Sequence, residues 1–341
     1  MRFRRYSNRS YAVFSTLKSP VSIGVMTVAM LASAPVSGIS AQTAEKNNAG
    51  EKLYELEEVE VTGSRVPLTV SQGINDLLKY AAGVDVRQRG DMGVQTDISI
   101  RGGTFDQITI LLNGINICDP QTGHNVADFP VELSEIERIE VLEGPAGRVY
   151  GTSSLVGAIN IVTRTAKDSG AEVFADGGSY GYFKGGAMVS HVKNGLSNQV
   201  SGSYSRSDGF SRSKAGNLNA NFKYARLFYQ GRYENDQVDV RWHAGFTNKD
   251  YGANTFYSTL SDEQFEHVRK YYTAVQAETK GNVYHFKPSV YWNRSDDRFE
   301  FYRGMPEKSP FNYHQTDVYG VNLNNHIQTF LGKTAFGAEF R

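Results

Sequence analysis

The 341-residue sequence contains one cysteine, Cys118, so an internal disulfide and any site built from several thiolates are excluded. A lone thiol of this kind is read as a small buried hydrophobe rather than a nucleophile. Net charge is also lacking, with 36 basic against 36 acidic residues, and the totals carry no electrostatic footprint for nucleic acid. Proline is scarce at 9, and no apolar run reaches the roughly 18 residues of a membrane-spanning helix. The 7 histidines form no H-E-x-x-H pair or other metal spacing. Neither Gly144 nor Gly147 is followed by the Gly-Lys-Ser/Thr of a phosphate loop. "GGSYG", Gly177 to Gly181, matches G-x-S-x-G, but the strand-like "YFKGGAMVSHV" follows where a nucleophile elbow needs a helix, so a hairpin turn is expected at Ser179. No catalytic constellation, metal set or cofactor motif emerges, and the chain is not expected to be an enzyme.

What is abundant points to β structure: Gly 34, Tyr 20 and Phe 19. Residues 1–41 read as a secretory signal. "MRFRRYSNRS" is basic, the 14-residue "VSIGVMTVAMLASA" is apolar, and small residues precede Gln42. A short membrane anchor is the alternative. Residues 42–63 are polar and expected to be mobile, ending in the brief alternation "VEVTG".

Residues 64–167 mix short strands and small helices. "SQGINDLLKYAAGVDV" predicts a helix capped by Ser71, with Ile74, Leu77, Leu78 and Ala81 as its apolar stripe and Gly83 as its stop. "LSEIER" predicts a second short turn, with Ser134 and Glu137 at capping-box spacing. Strand patterns lie at "TDISIRG" and "QITILLNGINI". The stretch "IEVLEGPAGRVYGTSSLVGAINIVTRT" passes through four glycines between two strands, as a small domain folded into a confined place would.

From residue 168 to 341 the texture is long alternation. "VDVRWHAGFT" places Val238, Val240, Trp242, Ala244 and Phe246 on one face and Asp239, Arg241, His243 and Thr247 on the other. Nothing in this part supplies a second apolar layer, as a soluble sandwich would need. With export and aromatic richness, the pattern predicts up to about nine strands that are apolar outward and polar inward, with His243 and His285 as solvated lumen residues. Turns are expected at "KNGLSN" and "YENDQ", and a longer loop at "NKDYGANTFYSTLSDEQFEHV". A membrane sheet must close to satisfy its backbone, so these strands are expected to be part of a larger barrel.

Together, "INDLLKYAAGVDVRQRG", "ISIRGGTFDQITILLNGINI" and "IERIEVLEGPAGRVYGTSSLVGAINIVTRT" resemble, in order and spacing, the plug domain of TonB-dependent outer-membrane receptors. The resemblance implies an α+β plug domain followed by an incomplete antiparallel transmembrane β-barrel, the first strands of a barrel of about 22. It further implies a Gram-negative outer-membrane receptor that imports a scarce ligand such as cobalamin or a ferric siderophore, with the TonB energy-coupling protein and outer-membrane lipid as partners. Import of a glycan or peptide is the alternative within the family. A passive porin or adhesin and a secreted β-sandwich enzyme are the rivals outside it. Val59, Glu60, Val61 and Thr62 resemble the TonB box, although Glu60 stands where the family usually has an apolar residue; the other reading is a first plug strand. Arg101 and Arg148 are similar to arginines that hold the plug against barrel carboxylates, and Glu143 departs from the family's basic or amide residue. In the loop "CDPQTGHNVADFP", the resemblance implies that Gln121, His124 and Asn125 face the external ligand; a plain polar connector is the competing reading.

Overall fold

The computed structural model describes residues 58–61, 73–81, 83–90, 94–104, 107–119, 128–143, 156–209, 219–281, 283–330 and 332–341. The proposed signal peptide, Thr62, Ser71 and the glycine-rich run 144–155 lie outside them.

The first part is a small α+β unit. Its strands are β1 (Glu58–Val61), β2 (Val84–Arg89), β3 (Gln95–Ile100), β4 (Ile108–Leu112), β5 (Ile115–Asn116), β6 (Ile136–Glu143) and β7 (Gly157–Thr163), with one helix, α1 (Ile74–Leu78). Five of them form a sheet in the order β1-β6-β7-β4-β5, with β4 and β7 parallel, and β2 pairs with β3 as a separate ribbon. The unalternating "ITILL" of β4 is buried at every position, and "GAINIVT" of β7 at all but one, because both faces of these central strands are covered. The stripe expected on the helix is buried: Ile74, Leu77, Leu78 and Ala81 pack with Ile98, Ile110, Ile139 and Ile159.

Three local expectations change in detail. The helix is a turn and a half from Gly73, shorter than the pattern suggested, and Gly83 lies beyond its end at φ 76°. The second turn is a 3-10 turn, Leu133–Glu135, whose capping box joins Glu132 and Glu135 rather than Ser134 and Glu137. Glu135 turns inward to accept from the Glu132 N–H at 2.8 Å, while Glu137 points to solvent. Third, β1 hydrogen-bonds along β6, Val59 opposite Val141, so this unit's sheet starts upstream of residue 64.

The second part is one antiparallel meander of nine strands, each beside its sequence neighbour. They are β8 (Gly170–Gly177), β9 (Phe183–Lys193), β10 (Leu196–Ser207), β11 (Phe222–Glu234), β12 (Val238–Asn254), β13 (Gln264–Thr279), β14 (Tyr284–Glu300), β15 (Asn312–Thr329) and β16 (Gly332–Phe340). Asn194 (φ 50°) and Gly195 (φ 76°) make the two-residue turn between β9 and β10, the left-handed pair that a right-twisted hairpin favours. Tyr180 (φ 60°) and Gly181 (φ 65°) do the same between β8 and β9, so "GGSYG" is a hairpin turn and Ser179 supplies its first carbonyl to Tyr182 N–H. Connections at this second end are longer at 255–263 and 301–311, whereas the opposite end has short turns such as 235–237.

Cross-strand register settles the direction of the faces. Phe246 stands opposite Leu227 and Tyr271, and Val200, Tyr229, Val275, Val290 and Tyr319 share that outward face, with large exposed surfaces. The other face, with Gln199, His243, Thr247, Lys249 and Lys270, is buried against the first unit. A sandwich would have covered the apolar side instead.

Candidate functional site: the seat of the small unit on the sheet wall

The segment 128–135 carries ion pairs to the wall. It leads into β6, places Phe129 and Val131 in the hydrophobic core, and alternates them with carboxylates that reach the wall. Glu132 is 7% exposed and accepts from Lys184 Nζ at 2.6 Å, Arg226 Nη1 at 2.7 Å and Ser203 Oγ at 2.6 Å. Burial by itself would push this carboxyl up. Arg226, then Lys184, and the two side-chain hydrogen bonds outweigh it and hold the pKa at about 2. Glu135 takes Gln199 Nε2 at 3.2 Å, and here burial prevails and raises the carboxyl above its ordinary value.

Asp128 accepts from Lys249 Nζ at 2.5 Å, and the same ammonium donates to Val94 O at 2.6 Å, tying the β2–β3 ribbon to the wall. The Asp128 and Phe129 carbonyls accept from Tyr272 and Tyr224. These charged groups border a cavity of about 60 Å³ between unit and wall, room enough for water. Nearer the short turns the contacts are neutral: Gln276 donates to Asn113 O, Asn293 to Asn116 O, and Thr163 to Gln230. His243 is 4% exposed and packs on Phe228, so the expectation of a solvated lumen residue does not hold; the small unit displaces the water. His285 is half-buried and stacks on His326.

At the long-loop end the segment 255–263 folds back over the ribbon. Phe256 packs with Val94, Arg89 donates to Phe256 O at 3.0 Å, and Gln95 donates to the Tyr257 hydroxyl at 3.0 Å. Tyr251 and Tyr257 both donate to Glu266.

The residues singled out from sequence are distributed unevenly. Val59, Glu60 and Val61 lie in β1, the edge strand of the five-stranded sheet, which is the placement that the first-strand reading anticipates. Arg101 is exposed in a left-handed turn (φ 49°), its N–H on Gly83 O. Gln121, His124, Asn125 and Arg148 lie outside the described residues. Both flanks of that loop lie along the wall, Asp119 lining a small cavity with Lys270, Asp128 on Lys249. Cys118 packs at the core edge, accepting from Ile110 N–H, and burial pushes its thiol up. Sequence reasoning missed Asp128, Glu132 and the wall cations Lys184, Arg226 and Lys249. Their one signal is inward position in an alternating strand combined with charge.

Among the described residues, no group of three or more His, Cys, Asp or Glu is placed to hold a metal ion.

Comparison with known proteins matches residues 57–158 to the TonB-dependent Receptor Plug Domain family. The vitamin B12 transporter BtuB of Vibrio vulnificus (strain CMCP6) is 27% identical over 222 residues, which is 61% of this chain and 36% of that protein. Among solved structures, the siderophore receptor PirA of Acinetobacter baumannii superposes with a TM-score of 0.64 at 18% identity, over 83% of this chain and 47% of that one. The copper transporter OprC superposes with a TM-score of 0.66 at 16% identity, over 83% of this chain and 45% of that one. The chain thus spans well under two thirds of the length of each. Residues 57–158 thus match the plug domain of TonB-dependent receptors, and the nine-stranded sheet has the fold of part of the barrel wall in the solved structures.

Proposed function

We propose that this chain is part of a TonB-dependent receptor of the Gram-negative outer membrane, an active transporter that takes up a scarce ligand, cobalamin or a ferric siderophore, with energy delivered through TonB. The observation that carries the reading is the polar seat of the plug. Ion pairs and hydrogen bonds to Glu132 and Asp128 join it to the wall beside apolar contacts such as Val94 with Phe222 and Tyr251, and water can replace the polar contacts when the plug shifts. A passive porin has no use for a folded unit lying against its inner wall.

The ligand class is supported by the relatives, which include a vitamin B12 transporter and a siderophore receptor. A copper transporter among them keeps a metal complex within the same reading. Import of a glycan or peptide is the alternative. The loop holding Gln121, His124 and Asn125 is proposed as ligand-facing, because its two flanks rise to the level of Lys249 and Lys270 on the long-loop side.

Coupling is assigned to Val59, Glu60, Val61 and Thr62. As the edge strand, β1 has one ladder taken by β6 and one open among the described residues, and an incoming strand from TonB can add there or draw β1 away. Val61→Pro in the full-length receptor tests this, since proline removes a ladder donor. Cyanocobalamin and a ferric siderophore serve as probes, with surface binding and internal accumulation measured on the same cells. Binding retained with accumulation abolished is the expected result. Normal accumulation would place coupling elsewhere, and loss of binding at normal receptor abundance would assign the segment to the ligand site.

A further inference from the structure

We infer that cargo crosses between the plug and strand β10, along a row of small hydroxyl side chains, and that the turn at 132–135 is the gate of this path. The inference rests on the transport reading above and adds to it the route and the class of cargo that the route admits.

Register places Ser197, Gln199, Ser201, Ser203, Ser205 and Ser207 on the inward face of β10. Hydroxyls and one amide therefore run along about 34 Å of strand. At a tilt of about 40° that length covers most of the roughly 30 Å of a hydrocarbon core. The adjacent inward row of β11 carries Phe222, Tyr224 and Phe228, which pack in the apolar clusters. When plug atoms withdraw from β10, its hydroxyls turn to water, and little apolar surface is exposed along that strand.

Two cavities between plug and wall lie toward either end of the row. The one of about 60 Å³ touches Ser205, Tyr224 and Arg226, and a second of about 30 Å³, nearer the short turns, touches Ser197, Gln199 and Gln230. Between them Ser203 donates to Glu132, while Ser201 and Gln199 hydrogen-bond Glu135. Along this strand one turn of the plug separates the cavities, and lifting it joins them. The larger cavity also offers groups to a polar guest. Asp128, 5% exposed, borders it with an Oδ2 that has no hydrogen-bond partner among the described residues, and Arg226 Nε there is likewise unpartnered.

Charge then selects the cargo. From Ser197 to Ser207 on β10 and from Phe222 to Arg232 on β11 no acidic residue faces inward, whereas Arg226 and Arg232 do, and Lys184 joins them from β9. Once Glu132 and Glu135 move off with the plug, the wall presents donors and positive charge. Such a path suits cargo whose surface accepts hydrogen bonds and is neutral or anionic, and it opposes a cationic one.

The test uses the full-length receptor in whole cells, with Cys118→Ser as background and single cysteines introduced by Ser201→Cys, Ser205→Cys and, on β14 against the plug, Asn293→Cys. A membrane-impermeant thiol reagent is added with cyanocobalamin or a ferric siderophore, to energised cells and to cells de-energised by a protonophore. Labelling at Ser201→Cys and Ser205→Cys should rise several-fold in energised cells and stay at the de-energised level at Asn293→Cys. A bulky reagent attached at either β10 position should then stop accumulation while surface binding is kept. Accumulation is also measured on unlabelled cells of each variant, so that a loss of fold is separated from a block. Accumulation by wild type with no rise at the two β10 positions overturns the route and leaves the transport reading standing, as does an equal rise at Asn293→Cys. Failure of wild type to accumulate either probe overturns both.

Discussion

Replacing Glu132 by Gln keeps the shape of the side chain and removes the charge on which the plug's seat converges. In the wild type, one carboxylate faces Lys184 and Arg226, whose side chains are 15% and 19% exposed, and also accepts from Ser203. Two routes give the cost. The carboxyl is depressed from its ordinary 4.5 to about 2, and a gap of that size corresponds to about 3 kcal/mol. Removing one member of a buried ion pair costs about 3 to 5 kcal/mol, because the partner is left charged in poor solvent. Both routes put Glu132→Gln near 3 kcal/mol in plug seating.

Cys118, at the edge of the plug core, offers a direct readout, since its modification by a thiol reagent in full-length receptor reports opening of the plug. With a urea dependence of about 1 to 3 kcal/mol per molar, the midpoint for Cys118 exposure should fall by about 1 to 3 M in Glu132→Gln. The pH dependence gives an independent check. A carboxylate whose folded pKa lies below its unfolded value stabilises fully above the unfolded value, and that contribution disappears as pH falls through the folded one. Wild type should therefore lose the increment between about pH 4.5 and about pH 2, while Glu132→Gln lacks that part of the slope. An unchanged urea midpoint, or an acid transition of equal size in both proteins, would refute the argument that Glu132 anchors the plug.

Two further outcomes follow from particular residues. A methyl group added at Gly157 would meet Leu142 O at 2.4 Å and Ile100 Cδ1 at 3.0 Å, so Gly157→Ala should destabilise the plug by about 1 to 3 kcal/mol, read by the same Cys118 exposure assay. If Gln121 or His124 donates a hydrogen bond to bound ligand, the pair Gln121→Ala/His124→Ala should weaken surface binding by about 1 to 3 kcal/mol with receptor abundance unchanged, and wild-type affinity would make the loop a connector.

Much of this fold could be read from alternation and turn chemistry. "VDVRWHAGFT" gave the faces of β12 correctly, because a strand with one apolar side has only two choices and an exported chain without a covering layer favours one of them. "NG" at 194–195 marked a turn because Asn and Gly adopt the left-handed conformation at least cost, whereas "GGSYG" reads as a hairpin from the strand that follows it. The helix stripe was legible while its length was not: five residues sufficed once tertiary packing buried Ile74, Leu77 and Leu78, which no local propensity reports. The brief alternation at 58–61 suits a free extended segment and a sheet edge equally, and only β6 decides between them.

The seat of the plug was the least legible part, for an electrostatic reason. Lys184, Arg226 and Lys249 went unremarked in the sequence, because an inward charge in a wide lumen is unremarkable when water surrounds it. It becomes an anchor only when a carboxylate more than fifty residues away in sequence is brought against it, as with Glu132 and Lys184 at a separation of 52. At these contacts the plug supplies Asp128 and Glu132 and the wall supplies the cations, a second kind of pairing beside the one expected of Arg101 and Arg148. Coulomb attraction is indifferent to which side carries which sign, so either assignment can hold a plug. The pattern of apolar residues thus fixes where such pairs can form, and the pairing itself belongs to the assembled structure.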